Sequence, residues 1–291
     1  MIKNLPLSYV EISKENLVYN IRKFRKTVHK KTKIAVAVKS NSYGHGQEQI
    51  VKILERFADY FFVNNIEELE LLRKISKKQT FILGYVQKND LEKAIKLDCI
   101  LSIFSIHQLR ETEKITGNLK IKQEIHLPID AHLGREGFLL NELPEIFEEI
   151  KKSKNIKLSG IYAHFANLED TTDFSHAKIQ IDKYKQAIKL ADKSGFKNLQ
   201  THISATSGLL IHEKGKGIHL LIRLGIGIYG MWPSERIKLL YKNKLKLKPV
   251  LSWKTKIAQI KILPKGATIG YGLTYKTKKT NQNSCYSARL C

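Results

Sequence analysis

Apolar residues come along this chain in short runs, separated by longer stretches in which they recur every three or four positions. The runs are KIAVAVK (33–39), DYFFVN (59–64), TFILGY (80–85), CILSIF (99–104), KQEIHLPID (122–130), IKLSGIYAHF (156–165), NLQTHIS (198–204) and HLLIRLG (219–225). Each has strand length and is rich in β-branched or aromatic residues. Between them QEQIVKILERFA, IEELELLRKIS, DLEKAIKL and FSHAKIQIDKYKQAIKLADKSG carry helical spacing, with turn or cap residues at their edges. Eight such β/α alternations in about 225 residues predict an α/β fold, a (β/α)₈ barrel with an N-terminal arm, over residues 1–235.

From about residue 236 the texture changes. KLKPVLSWKTKIAQIKILPKGATIGYGLTY alternates with strand period and turns at LPKGA, so 236–276 is expected to begin a β domain. The remaining TKKTNQNSCYSARLC (277–291) has neither helix nor strand period and is expected to be an aberrant tail.

Composition narrows the function classes. Lys and Arg number 51 against 27 Asp and Glu, a net charge of +24 that raises nucleic acid or an anionic membrane as a partner. The lysines are scattered, however, and the denser runs KFRKTVHKKTK and KNKLKLK do not interleave aromatics into a stacking platform. A solvated, lysine-biased surface is the simpler reading, and no nucleic-acid partner is expected. No run of 18 apolar residues and no signal-peptide pattern occurs, so the expectation is a cytoplasmic protein without membrane attachment. Cys99, Cys285 and Cys291 have no metal-ligand spacing; neither a metal nor a disulfide framework is expected.

In a parallel barrel the chemistry sits at the carboxyl ends of the strands. Lys39 ends the first run, Arg135 follows the fifth, His164 ends the sixth, Thr206 follows the seventh and Arg223 ends the eighth. Phosphate is expected after the last two strands, at SATSG (204–208) and GIGIYG (225–230), which are rich in small residues and backbone donors. A lysine at the mouth beside a phosphate cradle suggests pyridoxal phosphate, because a desolvated amine can form an imine with its aldehyde. Taken alone, Lys39 is more simply a side chain snorkelling from a strand end to water.

VAVKSNSYGHG (36–46) resembles the cofactor-lysine motif of alanine racemases. DAHLGREGF (130–138), GIYAHFAN (160–167), RLGIGIYGMWPS (223–234) and the span from LKPVLSW to GATIGYGLTY (247–275) are similar to further motifs of that family, in the same order. The resemblance implies that Lys39 binds pyridoxal 5'-phosphate and is one of two catalytic acid/bases, with Tyr271 as the other. It implies that Tyr43, Thr206, Gly225 and Ile226 serve the phosphate and that Arg135 serves the substrate carboxylate and the cofactor's phenolic oxygen. The same resemblance implies that His164 orients its neighbours and that Arg223 faces the pyridine nitrogen. A guanidinium keeps its proton, so the ring is a weaker electron sink and proton exchange at Cα is favoured over transamination. Two bases on opposite faces are what inversion requires. The family's tyrosine reaches the neighbouring subunit's site, so a head-to-tail homodimer is implied. The activity implied is interconversion of L- and D-alanine, feeding cell-wall peptidoglycan synthesis.

The chain departs from the family pattern in three places. In HISATSG (202–208), Ala205 and Thr206 stand for an asparagine and a serine. Pro128 replaces a lysine that some members carbamylate to brace the arginine, and His132 replaces a glycine. The family also continues into a longer β domain. Residues 283–291, NSCYSARLC, have permitted codons that read IAVIPLGYA one base later, which resembles that continuation. The expectation is a frameshift near 276–282 that truncates the chain, impairs dimerisation and activity, and promotes aggregation. Nucleotide sequence that does not encode the motif one base over refutes it. A non-catalytic pyridoxal-phosphate barrel, similar to vitamin B6 carriers, is the alternative, although GYGLTY points to a two-domain ancestor.

Overall fold

The structure is a computed structural model that describes residues 6–213 and 219–279, and the backbone of 281–286. Its strands run β1 (Ser8–Ile12), β2 (Lys33–Ala37), β3 (Tyr60–Val63), β4 (Thr80–Ile82), β5 (Ile100–Ser102), β6 (Gln123–Pro128) and β7 (Ile156–Tyr162). They continue with β8 (Gln200–His202), β9 (Leu221–Leu224), β10 (Leu251–Thr255), β11 (Ile257–Leu263), β12 (Thr268–Ile269), β13 (Tyr275–Lys276) and β14 (Asn281–Tyr286). The longer helices are α1 (Lys14–Thr27), α2 (Gln47–Leu54), α3 (Ile66–Arg73), α4 (Lys88–Lys96), α5 (Ile106–Leu119), α6 (Leu143–Lys152), α7 (Ser175–Lys193) and α8 (Glu235–Tyr241).

Residues Lys14–Val250 form one compact unit. Its eight strands β2 to β9 are parallel, and each pairs with the next in sequence from β2 to β8, while β9 returns to pair with β2. A hydrogen bond just past β8, from Arg223 N–H to the Ser204 carbonyl (3.1 Å), draws the two ends together. This is the expected (β/α)₈ barrel. Helix α1 shows why the helices pack outside it: Leu17, Ile21 and Phe24 share one face and are buried. Asn20, on the same face, is fully buried yet satisfied, donating to the carbonyls of Ile228 (3.0 Å) and Lys248 (2.7 Å) and accepting from Lys248 N–H (2.9 Å).

Inside the barrel, side chains two apart on a strand share the interior. Ala35 and Ala37, Tyr60 and Phe62, with Phe81, Ile100 and Leu221, make an apolar cluster. Next to it lies a polar layer. His126 packs on Phe81 (ring centroids 4.8 Å), His202 lies 5.8 Å from the same ring, and both imidazoles are buried. Gly160 makes room, since a Cβ there would lie 2.4 Å from the His126 ring.

The second unit joins β1 to the strands from Leu251 onward. It consists of antiparallel pairs: β1 with β10, β11 with β14, and β12 with β13. Two local expectations differ from this arrangement. Residues 236–241, placed at the start of the β domain, belong to α8, because Ser234 caps it by accepting from Ile237 N–H (3.2 Å) and Ile237 is fully buried. Residues 281–286, expected to lack strand structure, pair with Leu263–Ile257. Residues 280 and 287–291 of the stretch expected to be an aberrant tail, and with them part of the codon-shift reading, lie outside the described residues.

Candidate active site at the barrel mouth

Strand β2 ends at Ala37, and Lys39 continues the inward parity of Ala35 and Ala37. The chain then turns through four consecutive non-glycine residues in the left-handed region: Ser40, Asn41, Ser42 and Tyr43, with φ of 50 to 56°. Each such residue costs about 1–2 kcal/mol, so the turn needs external support. Glu68 of α3 supplies it by accepting from Ser40 N–H (2.6 Å), its other oxygen being held by Asn64 N–H (2.7 Å). The Asn41 side chain accepts from Gln47 N–H (2.8 Å), and the Tyr229 hydroxyl, packed against the His45 and Tyr43 rings, donates to the Ala37 carbonyl (2.6 Å). Lys39, half-buried, is thereby held at the mouth.

Arg223 lies across the mouth, 4% exposed. Its Nη2 donates to the Ala163 carbonyl (2.7 Å) and to His164 Nδ1 (3.2 Å), and its Nη1 donates to His202 Nδ1. Arginine only donates, so both imidazoles accept at Nδ1 and carry their protons on Nε2. His202 Nε2–H then donates to His126 Nδ1 (2.9 Å). The Tyr162 ring stacks on His202 (5.0 Å, 11°), lies 5.3 Å from the guanidinium carbon, and its hydroxyl donates to Ser102 Oγ (3.0 Å). Burial, then the Arg223 charge, pushes His164 and His126 down to about 3 and His202 well below its ordinary value. The imidazoles are neutral and the guanidinium is the charge of the layer. Burial lowers the Arg223 value too, but an arginine remains protonated at neutral pH.

Two cavities open here. One, of about 220 Å³, is lined by Lys39, Tyr43, Arg135, Tyr162, His164 and Arg223, with Gly225 among its further neighbours. The other, of about 280 Å³, shares Tyr43, His164, Ala205 and Gly225 and adds Thr206, Ser207 and Ile226. Thr206 is buried and its hydroxyl has no partner among the described residues. A Cβ on Gly225 would come within 3.2 Å of the Tyr43 hydroxyl, so the glycine keeps backbone and phenol in close approach. Burial, then Glu68, raises the Tyr43 value, keeping it a neutral donor. An unpartnered buried hydroxyl, a phenol and close backbone at one end, with a lysine and a guanidinium at the other, suit a flat ligand with an anionic end.

Arg135 lies on a loop clamped at its base, where Phe138 N–H donates to the Pro128 carbonyl (2.9 Å) and Asp130 N–H to the Phe138 carbonyl (3.0 Å). Asp130 Oδ1 accepts from Leu133 N–H (2.7 Å) and Gly134 N–H (3.0 Å). Gly137 adopts φ +121°, and a Cβ there would lie 2.6 Å from Asp130 N, so the loop requires glycine. The site thus brings together Lys39, Tyr43, Arg135, His164, Arg223 and Gly225, with Thr206 and Ile226 in the adjoining cavity. Tyr271 belongs to the other unit, fully exposed on a turn between Gly270 and Gly272, both at positive φ. Sequence reasoning missed Glu68, Tyr162, His126, His202 and Glu136. His202 and His126 carried a legible signal, as histidines on strands that line the barrel; Glu68 and Tyr162 depended on partners distant in sequence, and Glu136 on the loop that folds it against Arg135. Among the described residues no group of three or more His, Cys, Asp or Glu could hold a metal, and no helix is long and apolar enough to cross a membrane.

The family model for the alanine racemase N-terminal domain matches residues 12–233. An alanine racemase of Leptospira interrogans is 33% identical over 95% of this chain and 71% of its own length. Alanine racemase 2 of Bacillus subtilis is 31% identical over 94% of this chain and 70% of its own. The solved alanine racemase of Clostridium difficile 630 is similar with a TM-score of 0.88 at 28% identity, covering 98% of this chain and 73% of that one. The Bacillus anthracis alanine racemase with bound L-Ala-P gives 0.86 at 25%, covering 97% and 72%.

Proposed function

The chain belongs to the alanine racemase family, a family of amino-acid racemases, and from that membership we propose that it binds pyridoxal 5'-phosphate at the barrel mouth and interconverts L- and D-alanine. The observation that carries the reading is that Lys39, Tyr43, Arg135, His164 and Arg223, drawn from distant parts of the sequence, line one cavity. When bound, the cofactor supplies an aldehyde that captures an amine and a conjugated ring that withdraws electrons from Cα. Lys39 holds the cofactor and acts as acid/base on one face of Cα, and Tyr271 acts on the other. One takes the Cα proton and the other returns one from behind. Arg223, charged and unable to give up its proton, would face the ring nitrogen without protonating it and so would moderate that withdrawal. His164 orients the Arg223 guanidinium by accepting from it. Thr206, Tyr43, Gly225 and Ile226 hold the phosphate, and Arg135 orients the substrate carboxylate.

The remaining parts of the proposal follow from the family. Tyr271 acts in the site of a neighbouring copy in a homodimer, so each site needs both chains. The protein works in the cytoplasm, and its D-alanine enters peptidoglycan precursors. The test adds pyridoxal phosphate to the purified chain and follows absorbance together with L-to-D alanine exchange. Binding produces a shifted band that Lys39→Ala abolishes; no band in the wild type overturns the reading. A barrel that binds the cofactor without turnover is the second reading. It is favoured by the placement of every named residue except Tyr271 in the barrel unit, and a band without exchange supports it.

A further inference from the structure

The Arg135 guanidinium is not alone in the cavity. Its Nε and Nη2 both donate to the carboxylate of the next residue, Glu136, the second contact at 2.5 Å. Here the Gly137 turn, which only glycine fits, closes the loop immediately after the pair. The Arg135 side chain is exposed and that of Glu136 only partly covered, but Glu136 also faces the site. It lines the cavity that holds Lys39, Tyr162, His164 and Arg223, and also a neighbouring one formed by Lys39, Gly84, Tyr85, Phe104 and Arg135. Pro128, at the end of β6, has no polar side-chain atom, and the hydrogen bonds of the Arg135 fork among the described residues all go to Glu136.

A guanidinium has five N–H donors on two usable edges. Glu136 takes the side edge, Nε with one Nη2 hydrogen. The end edge, Nη1 with the other Nη2 hydrogen, is left for one more carboxylate. The charge around that edge is also set by the pair. His164 is neutral, so the cations lining the cavity are Lys39, Arg135 and Arg223, and Glu136 is the carboxylate among the lining residues. Burial pushes the Glu136 carboxyl up, but the Arg135 hydrogen bond and charge outweigh it, leaving the value lowered and the group ionised at neutral pH. Arg135 is correspondingly raised, by its hydrogen bond to Glu136.

We propose that Glu136 is a specificity-determining residue: it occupies one edge of Arg135 so that a single substrate carboxylate docks on the other, and its charge turns away amino acids with a second carboxylate. The proposal rests on the reading of Arg135 as the substrate-carboxylate site. A second carboxylate near that edge meets Glu136 at short range; with the Glu136 side chain 37% and the Arg135 side chain 58% exposed, water screens the like-charge repulsion without removing it. The arrangement suits a zwitterion with a neutral side chain.

The test measures calorimetric binding of propionate, which is alanine's carboxylate without its amine, and of succinate, its dicarboxylate counterpart. The full 291-residue chain with added pyridoxal phosphate is used at fixed ionic strength. The wild type prefers propionate. Glu136→Gln shifts the ratio of the two affinities toward succinate by about tenfold, the size expected for removing one close charge. Glu136→Asp, which keeps the charge, preserves the wild-type ratio. An unchanged ratio in Glu136→Gln, or an equal shift in Glu136→Asp, overturns the proposal. Arg135→Gln separates it from the reading beneath: lost propionate binding upholds Arg135 as the carboxylate site whatever Glu136 does, and unchanged propionate binding overturns both. Failure of the wild type to bind propionate also overturns both. A merely structural role for Glu136 would change the melting temperature and leave the affinity ratio alone.

Discussion

The barrel strands and the strands of the smaller unit carry the same kind of sequence and meet opposite fates. KIAVAVK and IAQIKIL are both short runs of β-branched residues with lysines among them. In the first, Ile34, Ala35, Val36 and Ala37 are fully buried. In the second, Ile257, Ile260 and Ile262 are each more than half exposed. Strand β2 has parallel neighbours on both sides, an interior filled by Tyr60, Phe62 and Phe81, and helices outside. Among the described residues strand β11 has one antiparallel partner, β14. Strand propensity decides that a segment extends, whereas burial is decided by the number of layers that meet it.

Substitutions should divide along that line. The largest effect is expected in the barrel. Phe81→Ala removes a ring in contact with Tyr60, His126 and His202 and should cost about 3–5 kcal/mol in urea unfolding. A cost below about 1 kcal/mol would mean that the interior is not packed as a single layer.

A smaller effect should appear on acidification. The folded His126 titrates at about 3, well below the ordinary imidazole value near 6.5, so between these the unfolded chain binds a proton that the folded one refuses. Stability is intact above about pH 6.5 and falls as pH drops toward 3; by pH 5 this histidine alone should cost about 2 kcal/mol. In His126→Gln the difference in unfolding free energy between pH 7 and pH 5 should shrink by that amount. An unchanged difference would show that the imidazole is charged or hydrated in the folded chain. The smallest effect belongs to the other region: Ile262→Ser should leave unfolding within about 0.5 kcal/mol of wild type. A cost of several kcal/mol would show that β11 is covered in solution and erase the contrast.

Particular residues show how far the sequence can be read. The barrel strands were legible because each is a continuous apolar run between capped amphipathic helices, and both signals are local. Helix α8 was overlooked inside a lysine-rich stretch that reads as strand until Ser234 is taken as a cap. Asn281–Tyr286 carries no strand period and extends because β11 offers it a partner. At the site, Lys39 and Arg223 could be found from their place at strand ends. Glu68 could not: it sits on an ordinary amphipathic helix, where its carboxylate meets the nearby Asn64 N–H, and its role in the site exists because it also meets the Ser40 N–H of another segment. The Arg223–His202–His126 chain was hidden for the same reason, its members lying on β9, β8 and β6.

By itself the sequence determined the alternation of strands and helices, the parity that turns Lys39 and Arg223 inward, and the glycines demanded by tight turns. These depend on neighbours a few positions away, through backbone sterics and side-chain periodicity. Only the tertiary structure decided which imidazoles are neutral, which hydroxyl lacks a partner, and that Glu136 and Arg135 share a fork in a cavity with Lys39. Desolvation and charge act through space, over distances that chain order does not record.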